Sequence, residues 1–238
     1  MALPLKAVFF DAGHTLIHTH PSVGEIYARE AAALGVTADA DLLGREFSQV
    51  FSQNEGALAA GSVGSPASDE QDFEMWRRIV REVHTRVPAL ARLDAEAWFR
   101  RLYEAFGRAD HWRLYPDVEK TLKGLRARGL KLGIISNWST RLRPIARDTG
   151  LEGLVDFIVV SSEVGIRKPD PRIFNLALDR AAVRPHEAMH VGDLVEDDFR
   201  GAERAGIAPA LVWRKPVPPA GVEEARVVAD LSGLLRLI

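Results

Sequence analysis

Lys6-Ala7-Val8-Phe9-Phe10-Asp11-Ala12-Gly13-His14-Thr15-Leu16 is the stretch from which the rest of the chain is read. Four apolar residues, Ala7 to Phe10, run without a break into Asp11. A strand covered on both faces has this kind of sequence, and in a parallel sheet it delivers the residue that follows it to the C-terminal edge. Ligand crevices of open α/β sheets lie outside that edge, so Asp11 is presented there on a backbone fixed by the strand behind it. Taken alone, Asp11 also reads as a turn residue closing a strand, because turns favour Asp.

Downstream of Tyr115-Pro116-Asp117 the pattern alternates. Helices are predicted over about 118–128, 140–149, 171–182 and 198–205, and strands over 130–136, 157–161, 189–191 and 210–213. Strands alternating with helices imply parallel βαβ units and a doubly wound sheet. Asp170 before Pro171 is a helix start, an N-cap followed by proline at the first helical position. Pro216 to Ala220 reads as a turn-rich connector before a short last helix near 231–237.

Between these parts, from about Ile17 to Trp112, apolar residues recur at three- and four-residue intervals. Ile26, Tyr27, Ala31 and Leu34 form one such set, Trp76, Ile79, Val80 and Val83 another, and Trp98, Leu102 and Phe106 a third, with Asp94 as N-cap. This is an all-helical insert, punctuated by Gly61-Ser62-Val63-Gly64-Ser65-Pro66 and closed in part by Val87-Pro88.

Composition excludes several function classes. The 238 residues are 47% hydrophobic and 27% charged, an ordinary globular balance. With 31 basic against 33 acidic residues the formal charge is −2, so no global field draws the chain to nucleic acid or to an anionic membrane. Cysteine is absent, which removes disulfides, thiolate metal sites and cysteine nucleophiles together. No apolar stretch approaches the roughly 18 residues that cross a bilayer, and the first apolar run reads as a strand, not as a signal peptide. The expectation is a cytoplasmic protein, monomer or homodimer.

Chemistry concentrates after three later strands. The first of these ends in Ser136-Asn137, and its hydroxyl with the backbone N–H groups of the next turn suits phosphoryl oxygens. Lys168 precedes Pro169-Asp170-Pro171. Val191-Gly192-Asp193-Leu194-Val195-Glu196-Asp197-Asp198 puts four acids into six residues just past a strand. Such crowding is unfavourable without a compensating cation, and magnesium suits an all-oxygen donor set.

In this order and spacing, the Asp11-x-x-x-Thr15, Ser136-Asn137, Lys168-Pro169-Asp170-Pro171 and Gly192-Asp193 with Asp197-Asp198 segments resemble the four motifs of the haloacid dehalogenase (HAD) superfamily. The resemblance runs from Asp11 to about Trp213. It implies an α/β fold, a doubly wound parallel sheet in a Rossmann-like core formed by residues 1–16 and 113–238, with a smaller all-helical cap at 17–112. It makes Asp11 a nucleophile that forms an aspartyl-phosphate, supported by the charge of Lys168. Ser136, Asn137 and Thr15 would hold the phosphoryl group of a small phosphorylated metabolite. Mg2+ would be held by Asp11, the Gly13 main-chain carbonyl and Asp193, with Asp197 and Asp198 either joining them, standing behind them or capping the next helix.

One position departs from the phosphatase pattern. Two residues after the nucleophile those enzymes carry a general-acid Asp, where this chain has Gly13, and His14 follows where glycine is usual. Proton donation is worth about 10²–10⁴-fold, so alkyl phosphates should be poor substrates unless His14, His18 or His20 substitutes. A metal-independent dehalogenase is the less favoured alternative, since those enzymes lack the acidic fourth motif retained here. A phosphonatase needs a cap lysine for its Schiff base. Residues 17–112 hold ten arginines and no lysine, which closes that route. A non-catalytic relative that binds a phosphorylated ligand or a partner is the remaining competitor.

Overall fold

The computed structural model describes residues 5–60, 66–215, 219, 221–223 and 226–238, with side chains left undescribed over 55–60. Its centre is a six-stranded sheet in the order β5-β4-β1-β6-β7-β8, parallel throughout. These strands are β1 (Ala7–Phe10), β4 (Lys131–Ser136), β5 (Phe157–Val160), β6 (Ala188–Gly192), β7 (Ala208–Val212) and β8 (Val227–Val228). All four residues of β1 are buried because the strand lies in the middle of the sheet. Successive side chains leave a strand on opposite faces. Val8 and Phe10 accordingly join one apolar layer with Leu132, Ile134 and Val160, whereas Ala7 and Phe9 join the opposite layer with Ile135, Val159 and Phe174.

Helices close both layers. On one side stand α5 (Val118–Ala127), α6 (Leu142–Asp148) and α10 (Leu234–Leu237), and on the other α8 (Pro171–Ala181) and the single turn α9 (Gly201–Arg204). A one-turn helix, α7 (Ser161–Val164), follows β5 directly. The α8 start is as the sequence predicts, with Asp170 Oδ1 accepting the Arg172 amide at 2.9 Å. The helix expected to start at Asp198 differs, because the chain first makes a wide π-type turn over Val195–Arg200 and tightens only at α9. The predicted connector at 216–220 falls largely outside the described residues.

The remaining helices, α1 (Val23–Ala32), α2 (Ala40–Ala60), α3 (Asp69–Arg86) and α4 (Ala95–Ala105), pack around their own apolar cluster. Ile26, Tyr27, Ile79, Val83, Trp98 and Leu102 lie at its centre, the residues whose three- and four-residue spacing marks them in sequence. Asp94 caps α4 by accepting the Ala97 amide at 2.8 Å. Gly61 to Ser65, the predicted break between helices, lie outside the described residues.

Where this helical layer joins the sheet, the structure adds an element that the sequence does not announce. Ile17–Thr19 (β2) and Trp112–Leu114 (β3) pair antiparallel, so the two crossings between the layers form one short ribbon. Ile17 and Trp112 are therefore strand residues and not helical ones.

Candidate active site

The C-terminal ends of β1, β4 and β6 are neighbours in the sheet, so Asp11, Ser136 and Asp193 meet although their positions in the chain are far apart. Asp11 sits on the turn after β1, its amide bonded to the Val191 carbonyl of β6 at 2.9 Å. Its Oδ1 accepts from Ser136 Oγ at 3.0 Å and from Lys168 Nζ at 2.6 Å. No hydrogen bond to Oδ2 is present among the described residues. The carboxylate is thus held by one oxygen and leaves the other open.

Lys168 is 2% exposed and bridges two acids, Asp11 at 2.6 Å and Asp198 Oδ1 at 2.7 Å. Burial opposes its charge, but the two carboxylates prevail and hold its ammonium above the usual lysine range. Asp198 is almost wholly buried. Burial disfavours its charge too, yet Lys168 and the His190 hydrogen bond at 2.9 Å pull its pKa below the usual range. The Leu194 amide completes its shell by donating to Oδ2 at 3.1 Å. This carboxylate fits only because residue 192 is glycine, since a Cβ there would stand 2.0 Å from Asp198 Cγ.

Asp11, Asp193 and Asp198 each bring a carboxylate oxygen within 4.8 Å of the others. Burial raises the pKa of Asp193 well above the carboxylate range, and the charges of Asp11 and Asp198 push it further. Burial likewise raises Asp11, against the pull of Lys168. Thr15 Oγ1 donates to Asp193 at 3.2 Å, the only hydrogen bond to that carboxyl among the described residues. Three carboxylates facing one ammonium leave a negative balance, and an all-oxygen set of this kind suits a hard divalent cation.

Two predicted residues are placed differently. Asn137 was expected on the phosphoryl group, but its amide is fully used within the protein. Its Nδ2 donates to the Lys168 carbonyl at 2.9 Å and to Asp197 Oδ2 at 3.0 Å, and its Oδ1 accepts the Lys168 amide at 2.8 Å. It clamps the Lys168 loop to the end of β4. Asp197 lies with Asn137 and outside the carboxylate triad, because consecutive residues on the wide turn point apart. Burial lifts its pKa to about 6. Gly13 lies on the loop after β1, where it bridges Ile17.

His190 is a functional neighbour that sequence reasoning passed over, and Gly192, named there only as part of a motif, proves to make room for Asp198. The signal for His190 is an imidazole inside an otherwise apolar strand. Burial keeps it neutral, and its ring packs edge-on against Phe174 at 5.1 Å. His14, one candidate substitute acid, is exposed and lies in the left-handed region at φ 55°, which explains why glycine suits that position better.

A family model described as haloacid dehalogenase-like hydrolase matches residues 5–206. The chain belongs to the haloacid dehalogenase-like hydrolases. Among its HAD relatives, haloacid dehalogenase-like hydrolase domain-containing protein 3 of Bos taurus is 32% identical over 98% of this chain and 93% of its own length. The phosphoserine phosphatase of Thermus thermophilus is 38% identical over 59% of this chain and 55% of that protein. A crystal structure of a dehalogenase with an intermediate complex superposes with a TM-score of 0.72 at 25% identity, covering 100% of this chain and 99% of the other. The parallel sheet with flanking helices is the Rossmann-like α/β fold of these HAD proteins.

Proposed function

We propose that this HAD hydrolase is a magnesium-dependent phosphatase of a small phosphorylated metabolite, working through an aspartyl-phosphate on Asp11. The observation that carries this reading is the carboxylate triad Asp11, Asp193 and Asp198 beside the buried Lys168. A haloacid dehalogenated without metal would need no second and third acid at the nucleophile, and the phosphatase name of the Thermus relative agrees with this choice.

Asp11 and Asp193 would hold the magnesium ion, with Asp198 beside them and the Gly13 carbonyl as a further donor. When bound, the ion neutralises charge on the phosphoryl oxygens. Lys168 and Ser136 fix Asp11 Oδ1, so that Oδ2 faces the substrate. The Oδ2–phosphorus bond forms as the bond from phosphorus to the ester oxygen breaks, and a water then attacks the acyl phosphate to release phosphate and restore Asp11. Thr15, once turned from Asp193, donates to a phosphoryl oxygen. No carboxylic acid stands at position 13, so the ester oxygen departs with a proton taken from solvent. Aryl and acyl phosphates, which depart with little protonation, therefore react faster than alkyl phosphates. Residues 17–112 act as the cap that closes over this site, and closure excludes water.

Hydrolysis of 4-nitrophenyl phosphate with magnesium and with chelator, in the wild type and in Asp11→Asn, tests the reading. Turnover that needs magnesium and is lost in Asp11→Asn supports it. No turnover in either, with phosphate binding retained, favours a non-catalytic binding protein, and turnover of a 2-haloacid in chelator favours a dehalogenase.

A further inference from the structure

Next to Lys168 stands a cation that the site described above does not use. Arg167 has no ion pair and no side-chain hydrogen bond among the described residues, and its Nε is buried without an acceptor. Asp197 feels its charge and has Oδ1 buried without a partner, yet no hydrogen bond or ion pair joins the two among the described residues. Asn137 is spent on the Lys168 backbone and on Asp197. Asp72 is paired to Arg141 at 3.0 Å, and Asp69 accepts the Thr140 amide at 2.8 Å. A guanidinium offers five donors in a planar fork, and leaving a buried donor unmade is costly.

Arg167 lines a small cavity with Asn137 and Trp138 at the end of β4, roofed by Ser68, Gln71 and Met75 of the α3 start. The cavity lies between the helical layer and the sheet. Two of its lining residues are chain neighbours of the nucleophile's partners, since Asn137 follows Ser136 and Arg167 precedes Lys168, the two residues bonded to Asp11 Oδ1. The roof is tied down by Ala67 N donating to Gly165 O at 3.2 Å and by the Asp69 and Asp72 contacts. Its volume, about 30 Å³, holds about two waters. A carboxylate has two oxygens in one plane, which match both that space and the fork of an arginine.

We propose that Arg167 and this cavity form a subsite for a carboxylate on the leaving group, so that the substrate is a phosphorylated small carboxylic acid. The assignment rests on the phosphatase reading for the reaction, but its test does not require turnover. The phosphoryl group lies at Asp11 and the carboxylate at Arg167, under the start of α3. Closure of α3 then buries both ends of the substrate at once, and a phosphate ester with an uncharged leaving group leaves Arg167 without an acceptor.

The test is a calorimetric titration of the full chain with non-hydrolysable pairs, phosphonoacetate against ethylphosphonate and 3-phosphonopropionate against propylphosphonate. Wild type is expected to bind at least one carboxylate-bearing member about tenfold or more tightly than its alkyl partner. Arg167→Gln is expected to reduce that ratio to near one, and Arg167→Lys to restore part of it, because the charge returns without the fork. A wild type without preference, or a preference that survives Arg167→Gln, overturns the subsite. A variant that weakens both members of a pair equally also overturns it, since that is loss of structure and not of recognition. Wild-type turnover of 4-nitrophenyl phosphate is measured alongside, so that failure of the phosphatase reading is seen separately.

Discussion

Gly13 removes a functional group without closing the space for it. A Cβ at this position would lie 3.4 Å from the Trp138 ring edge, an ordinary contact. Gly13→Asp should therefore fold, and if the missing acid limits turnover it should raise kcat on an alkyl phosphate at least about tenfold, the lower part of what general acids contribute. Equal rates in steady-state assays, with magnesium binding intact, would mean that proton transfer is not limiting or that another group supplies it. Gly192 is the opposite case, a glycine that the site fills. In Gly192→Ala the new methyl collides with Asp198, which must then leave Lys168, His190 and the Leu194 amide. The expected cost is about 3 kcal/mol in urea unfolding, together with loss of activity, as for a broken buried ion pair. Asp11, Thr15, Ser136, Lys168, Asp193 and Asp198 were legible because each follows an apolar run or sits in a short local motif. The engagement of Asn137 was not legible, since its partners Lys168 and Asp197 lie 31 and 60 positions away. Nor was the difference between Asp197 and Asp198, which depends on the wide turn that carries them.

At the scale of elements, α3 is held to the sheet by a few polar contacts at its first turn. Arg141 from the loop before α6 donates to Asp72 at 3.0 Å and to the Tyr103 carbonyl at 2.7 Å, and lies 3.4 Å over the Tyr103 ring. Burial raises the pKa of Asp72 in spite of this partner. Arg141→Ala would leave that carboxylate buried and unpaired, at a cost of about 2 kcal/mol because the pair is partly open to water. Thermal unfolding checks this. A fall in Tm much smaller than about 4 °C, the value expected of 2 kcal/mol in a domain of this size, would show the contact to be dispensable. The edge strand β5 is treated differently. Arg143 and Arg180 both donate to the Ile158 carbonyl, at 3.1 and 2.7 Å, and place two guanidinium groups on an otherwise open edge. Helices of ten or more residues and the buried strands could be read from the sequence, because periods of 3.6 and runs of four or more apolar residues need several positions to show. β2, β3 and β8 could not. Each has only two or three residues, and their pairing is set by where the flanking layers meet.

For the molecule as a whole, the near-neutral charge conceals buried groups that titrate in opposite senses. His111, 3% exposed, accepts from Arg29 Nη2 at 2.7 Å through Nε2, and Nδ1 is buried without a partner. Burial lowers its pKa, and Arg29 and Arg108 lower it further, though Asp110 opposes them. His190 is lowered in the same way, by burial first. Below the ordinary histidine value of 6.5 the unfolded chain takes up protons that these folded imidazoles refuse. Each therefore lowers stability as pH falls through 6.5, by up to about 1.4 kcal/mol per pH unit until its folded pKa is reached. Asp197 acts in the other direction. With a folded pKa of about 6 against 3.8 unfolded, it stabilises fully below 3.8 and loses that contribution as pH rises through 6. A single stability curve sums these and hides both, so the histidine is read by difference. In His111→Gln the amide oxygen still accepts from Arg29, but nothing titrates. Between pH 7.5 and 5.5 the wild type should lose about 1 kcal/mol relative to this variant in urea unfolding at constant magnesium. His111 immediately precedes β3, the strand that returns from the helical layer, so the loss would fall where the two layers are joined. Parallel curves would mean that His111 is protonated in the folded protein after all, and that Arg29 turns from it at little cost.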